Sequence, residues 1–75
     1  MAKGRIAILT VTKQGIGLGE KLLAARPEAE LWLPGKYEGH SGPRHHRFDE
    51  ALGDLLRNIF PDYAGFVFIM APGIA

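Results

Sequence analysis

The sequence contains no cysteine, so no disulfide can staple the chain, which fits a reducing compartment. It has no apolar run approaching the roughly 18 residues a membrane-crossing helix requires. It also lacks a surplus of either charge: nine Lys and Arg against eight Asp and Glu leave a net +1. That balance supplies no general attraction to nucleic acid or to an anionic membrane. Met1-Ala2-Lys3-Gly4-Arg5 leads directly into an apolar strand, without the apolar core and cleavage site of a signal peptide. The expected location is the cytoplasm. No internal repeat or low-complexity tract is present. Seventy-five residues make one small domain, 1–75. A chain of that size buries only about 60% of its unfolded surface. With disulfides excluded, association is the open route to further stability.

What is present is an alternation of apolar strands and amphipathic helices. Ile6-Ala7-Ile8-Leu9-Thr10-Val11 reads as a strand, apolar almost throughout. Thr12–Gly15 turns the chain, and a helix is expected from Gly15 or Ile16 to Ala25. Its buried stripe would be Leu18, Leu22 and Ala25, with Leu23 beside it; Glu20, Lys21 and Arg26 would face water. Pro27 stops it. Glu28–Leu33 alternates polar and apolar residues, as an edge strand with one partly exposed face would. Lys36–Arg47 is polar, basic and glycine-rich, and reads as a long surface loop. Phe48–Phe60 has the clearest helical period, with Phe48, Leu52, Leu55, Leu56, Ile59 and Phe60 on one side. Asp49 and Glu50 would sit in its first turn and Arg57 in its last, complementing the helix dipole.

The final run, Gly65-Phe66-Val67-Phe68-Ile69-Met70, is continuously hydrophobic. That is the pattern of a parallel strand covered on both faces and flanked by neighbours. Only Ala71-Pro72-Gly73-Ile74-Ala75 follows it. The sequence is therefore expected to be the front part of a larger object. Self-association through 65–70, or pairing with missing C-terminal domains, is expected to cover that strand.

The order β-α-β-α-β implies a three-layer α/β unit with a parallel three-stranded sheet in order 2-1-3. This is a flavodoxin-like or Rossmann-like half domain. Ligands of such sheets bind beyond the carboxyl ends of the strands, where the order switches. Thr12, Lys13, Gln14 and Gly15 would there face Ala71, Pro72, Gly73 and Ile74.

Several motifs lie near that rim. Gly15-Ile16-Gly17-Leu18-Gly19 opens a helix after a strand, where backbone amides can hold a phosphate. The dinucleotide pattern G-x-G-x-x-G fails, because Glu20 stands at its sixth position. A tight turn with close helix–sheet packing is the plainer account, and phosphate or mononucleotide binding the alternative. The loop 36–47 gathers all three histidines, His40, His45 and His46. With no Cys and no spaced His-Glu pair, metal binding is not expected. The loop is either a solvated basic segment or a carboxylate-binding one, in which Arg44 and Arg47 grip a polyanion. Nucleic acid is disfavoured, since Tyr37 is the loop's lone aromatic. Trp32 and Tyr37 could stack on a ring, though a half-buried edge-strand Trp is the commoner role. No nucleophile–base set emerges around Thr10, Thr12 or Ser41, and no catalytic residue is assigned.

Taken in order, Leu9-Thr10, Lys13-Gln14-Gly15 and Ala29-Glu30-Leu31-Trp32-Leu33-Pro34 resemble the amino-terminal segment of the CbiG family. So do the Phe48-headed helix running to Ile59-Phe60-Pro61-Asp62-Tyr63-Ala64-Gly65 and the run Phe66-Val67-Phe68-Ile69-Met70-Ala71-Pro72-Gly73-Ile74. The resemblance covers almost the whole chain and is most specific over Gly65–Ile74, where the family reads Gly-x-Val-Phe-Ile-Met-Ala-x-Gly-Ile. CbiG proteins are cobalt-precorrin-5A hydrolases of anaerobic cobalamin (vitamin B12) biosynthesis. The resemblance implies hydrolytic opening of the ring-A δ-lactone of a cobalt-corrinoid, with a two-carbon fragment leaving as acetaldehyde. It implies no cofactor, cobalt entering only with the substrate. Thr12, Gly15, Ala71, Gly73 and Ile74 become substrate-edge residues, and Arg44 and Arg47 candidate partners of the substrate's carboxylates. The family continues with more sheet and a separate C-terminal domain, so the segment alone is expected to be inactive.

Overall fold

The computed structural model describes residues 4–70. Their elements run β1 (Ile6–Thr10), α1 (Lys13–Ala25), β2 (Ala29–Pro34), β3 (His45–Phe48), α2 (Leu52–Ile59), a 3₁₀ turn (Phe60–Asp62) and β4 (Gly65–Ile69). The strands form one sheet in the order β3-β2-β1-β4, and every pairing is parallel. The fold is therefore α/β, with the three anticipated strands neighbouring one another as expected: β2, β1, β4. The sheet is nevertheless wider than the sequence implied. A fourth strand, β3, arises inside the segment read as a loop and pairs Leu31 with His45 through Pro34 with Phe48.

His45-His46-Arg47-Phe48 has no apolar run, which is why it gave no strand signal. It is held instead by backbone pairing to β2 and by Phe48, whose side chain is buried. Short length and charged side chains are common in edge strands, where they discourage further pairing. β2 is consequently interior and not the edge it was expected to be.

The faces follow from crossover handedness. The β1-to-β2 and β2-to-β3 connections move in the same direction across the sheet, so right-handed crossovers place both on one face. The β3-to-β4 connection returns over β2 and β1, so α2 lies on the other face. Each face has its own core. Ile8, Leu31, Leu33 and Ile69 meet Ile16 and Leu23 of α1, with Tyr37 of the 35–44 connection packed alongside. Ala7, Leu9 and Phe48 meet Leu55 and Ile59 of α2 together with Tyr63.

Both helices differ from expectation. α2 begins at Leu52, because Phe48 is drawn into β3; Asp49 and Glu50 precede the helix, and Asp54 occupies its first turn. In α1 the buried residues are Gly15, Ile16, Gly19 and Leu23, whereas Leu18, Leu22 and Ala25 are exposed. Glycine contributes no apolar side chain to a periodicity count, so the sequence pattern conceals this stripe. Yet glycines 15 and 19 are the positions where the helix backbone meets the sheet. A Cβ at Gly19 would lie 2.7 Å from Leu31 Cδ1 and 3.1 Å from Thr10 Cγ2. Glycine allows a close approach that alanine would obstruct.

Candidate functional site

The strand order reverses between β1 and β4, and the rim beyond their carboxyl ends is where an open α/β sheet offers a crevice. Register places Thr10 opposite Ile69 at this rim. Thr10 is fully buried and donates to Trp32 O at 3.0 Å, tying β1 to β2. Thr12 is the N-cap of α1 in an extended conformation, and its hydroxyl accepts from Gly15 N at 3.2 Å. Such a cap satisfies one of the amides a helix start leaves unpaired. Gly15 faces β4: a Cβ there would lie 3.3 Å from both Ile69 Cγ2 and Thr12 Oγ1. Lys13 and Gln14 are exposed beside it, and the first turn of α1 holds no acidic residue. Thr12 and Gly15 are thus brought to the β1/β4 switch point. Ala71, Gly73 and Ile74 lie outside the described residues. No pocket forms among the described residues.

The two arginines lie elsewhere. Arg44 precedes β3 and donates through Nη1 to Arg26 O (2.8 Å), Pro27 O (3.3 Å) and Ala29 O (2.9 Å). It therefore ties the end of α1 to the start of β2, at the amino edge of the sheet and away from Thr12. Arg47, on the outer strand β3, donates to Gly35 O and Tyr37 O through Nη1 and to His40 O at 2.8 Å through Nη2. β2 separates it from β1, a span of about 10 Å at ordinary strand spacing. Both guanidiniums hold backbone.

Two polar clusters escaped the sequence reading. On the α2 face, Glu30 Oε1 accepts from Tyr63 Oη (2.6 Å) and Arg5 Nη2 (2.8 Å), and meets His46 Nε2 at 2.8 Å; Oε2 accepts from Arg5 Nε at 2.7 Å. Tyr63 Oη in turn accepts from Trp32 Nε1 at 3.1 Å. The Trp32 ring stacks on His46 at 4.6 Å, and Arg5 lies 4.4 Å over the Tyr63 ring. Hydrogen bonding from Arg5, against the opposing effect of burial, and then from Tyr63 and His46, holds the Glu30 carboxyl down at about 2. Burial, and then the bond to Glu30, pushes the Tyr63 phenol up. The second cluster joins Glu20 Oε2 to His40 Nδ1 (3.2 Å) and His45 Nε2 (3.3 Å), fastening the 35–44 connection and the start of β3 to α1. Burial raises the Glu20 carboxyl, but the two histidines outweigh it and the net shift is downward.

All three histidines thus face carboxylates. Among the described residues no group of three His, Cys, Asp or Glu could hold a metal ion, and no helix is long and apolar enough to cross a membrane. The alternation of Glu28 and Glu30 with apolar neighbours was the one available hint of the first cluster. Its partners come from 16 to 33 residues away, beyond any local pattern.

The fold and rim define an α/β protein built on an all-parallel sheet with a single switch point. No protein-family model, curated protein or solved structure matches the chain.

Proposed function

We propose that this chain is the amino-terminal βα portion of a cobalt-precorrin-5A hydrolase of anaerobic cobalamin biosynthesis. The parent reaction would open the ring-A lactone of a cobalt-corrinoid with release of acetaldehyde. What supports the reading is one adjacency. Two segments that carry the resemblance, Leu9–Gly15 and the most specific one, which begins at Gly65, run through the neighbouring strands β1 and β4, with Thr10 opposite Ile69. β1 and β4 run parallel, so their carboxyl ends share one rim. A flat macrocycle suits a wide rim better than a closed pocket. Thr12 and Gly15, with Ala71, Gly73 and Ile74 beyond the described strand, are the positions assigned to the substrate edge. Arg44 and Arg47 contribute less to this reading, because each already donates to backbone carbonyls. Among the described residues no acid–base pair is aimed at the rim, and the segment is expected to bind without turning over.

The competing reading is a phosphate or mononucleotide module at Gly15–Gly19. Close helix–sheet contact already accounts for Gly15 and Gly19. Titration of the purified chain with a lactone-bearing cobalt-corrinoid, followed by visible absorbance, and with mononucleotides, followed by calorimetry, separates the two. Binding of corrinoid alone is the expected outcome; binding of a nucleotide without any corrinoid would overturn the proposal.

A further inference from the structure

Each of the three histidines meets a carboxylate, yet each ring leaves its second nitrogen in a different situation. His45 Nε2 meets Glu20, and its Nδ1 is buried with no hydrogen-bond partner among the described residues. Both of its nitrogens are thus occupied or enclosed. His40, in the 35–44 connection, meets the same Glu20 oxygen through Nδ1 at 3.2 Å. His46, on the outer strand β3, meets Glu30 through Nε2 at 2.8 Å. Its Nδ1 bonds to no described residue and is not buried, in a side chain that is 37% exposed.

The partner of His46 decides which nitrogen carries the proton. An ionised carboxylate only accepts hydrogen bonds. Arg5, through Nε and Nη2, and the Tyr63 hydroxyl all donate to Glu30 and favour its ionised form. His46 must therefore donate through Nε2–H, and in the neutral ring the lone pair is then on Nδ1. The ring is also held in place. It stacks on Trp32, its opposite residue on β2, with centroids 4.6 Å apart and planes 23° apart. A carboxylate behind one ring nitrogen stabilises the positive charge that develops when the other nitrogen takes up an electrophile or a proton. His40 has the same arrangement in a looser form: a longer bond, to a carboxylate that is 37% exposed where Glu30 is 17% exposed.

We propose that His46 Nδ1 is a covalent acceptor site for a phosphoryl group. The lone pair of Nδ1 attacks phosphorus, and the bond from phosphorus to the leaving group breaks. The leaving group departs with that electron pair. The ring keeps its Nε2 proton on Glu30 and carries the positive charge there. Histidine is an established nucleophile of this kind once it is oriented by a neighbour. The location selects the electrophile. β3 is the outer strand and no pocket forms among the described residues, so nothing shields an adduct from water. An acylated imidazole hydrolyses quickly in water, whereas a phosphorylated one persists at neutral and alkaline pH. The donor class is an activated phosphoryl compound, such as a phosphoramidate, whose leaving group needs no help from a pocket. The inference stands apart from the corrinoid reading, which concerns the carboxyl rim at β1 and β4.

The test incubates the folded chain with potassium phosphoramidate at mildly alkaline pH and follows each histidine by phosphorus NMR and mass mapping. The donor's ammonia leaves as its phosphoryl group is transferred. His40 and His45 are controls within the same molecule. Phosphorylation of His46 at Nδ1 is expected to run about tenfold faster than at either control, the lower end of what an orienting partner contributes to a histidine. In denaturing urea the three should react at comparable rates. Glu30→Gln should slow His46 about tenfold while leaving His40 unchanged. That variant also loses stability, so the tautomer is read separately on the unaltered chain by two-bond proton–nitrogen NMR. A proton on Nε2 and none on Nδ1 is expected for neutral His46. A proton on Nδ1 would overturn the proposal. So would His40 or His45 reacting as fast as His46 in the folded chain, attachment at Nε2, or a folded Glu30→Gln variant with an unchanged His46 rate.

Discussion

Gly17 and Gly19 stand two residues apart on α1, and their replacement by alanine should change stability in opposite directions. Gly17 has nothing within 4 Å of where a Cβ would be, so Gly17→Ala should stabilise by about 0.5–1 kcal/mol through helix propensity alone. Gly19→Ala gains the same propensity but forces a methyl against the fully buried Leu31. Overpacking of this kind costs about 1–3 kcal/mol, so a net loss is expected. Urea midpoints of the two variants check both signs. Glu30 gives the residue-scale prediction in pH. Its folded pKa, held down to about 2 chiefly by the Arg5 guanidinium, lies below the ordinary carboxyl value of 4.5. A depressed carboxylate contributes stability that is complete above its unfolded pKa and disappears as pH falls through the folded one. Glu30→Gln should therefore lower stability at pH 7 by about 1–3 kcal/mol, the range for breaking a charge-assisted network. The gap between variant and parent should narrow progressively from pH 4.5 toward pH 2. A gap that stays constant across that range would show that the carboxylate charge is not what the network uses.

At the scale of the element, the least self-sufficient piece is the 35–48 stretch. It crosses from β2 to β3 without a helix and is fastened by side chains: Tyr37 in the α1-face core, Arg47 on three carbonyls, and His40 and His45 on Glu20. Arg44 does the same for the turn between α1 and β2. Replacing Arg44 by methionine keeps the aliphatic stem and removes the donors. The expected loss is about 1–3 kcal/mol, in the range of hydrogen bonds involving a charged group, read from the urea midpoint. Hydrogen exchange should separate the strands. β1 is paired on both sides and buried on both faces, so its amides should exchange slowest. β3, paired on one side and short, should exchange among the fastest of the strands. β1 exchanging as fast as β3 would contradict the sheet order.

For the whole molecule, two small cores sit back to back on one sheet, and β1 contributes to both: Ile8 to the first, Ala7 and Leu9 to the second. Neither core can be lost without exposing the strand that serves the other, so cooperative unfolding is expected. Trp32 is the sole tryptophan and packs on the α2 face, whereas α1, on the other face, is the longer helix and dominates far-UV circular dichroism. The two signals should give the same urea midpoint; separated transitions would mean that the two faces melt independently.

Much of this architecture was written locally. Ile6–Thr10 is apolar enough to demand burial between layers and is buried there, whereas Gly65–Ile69, expected to be covered on both faces, lies at the end of the described sheet with Val67 and Phe68 exposed; Pro27 and the glycines mark where elements begin and end. Parallel strands joined by helices then follow from chain connectivity and handedness. That was sufficient for the α/β class, the β2-β1-β4 neighbours and the rim at Thr12 and Gly15. Only the tertiary structure decided the rest. β3 has no apolar signal and exists because β2 offers it a backbone edge. The buried side of α1 was hidden because its closest contacts are made by glycines. Arg44 and Arg47 were drawn to carbonyls, and Glu20 and Glu30 acquired their partners, through contacts far apart along the chain. Periodicity reports which side chains avoid water. It carries no information about which polar groups will meet once the strands are laid side by side, and those meetings are set by register and packing.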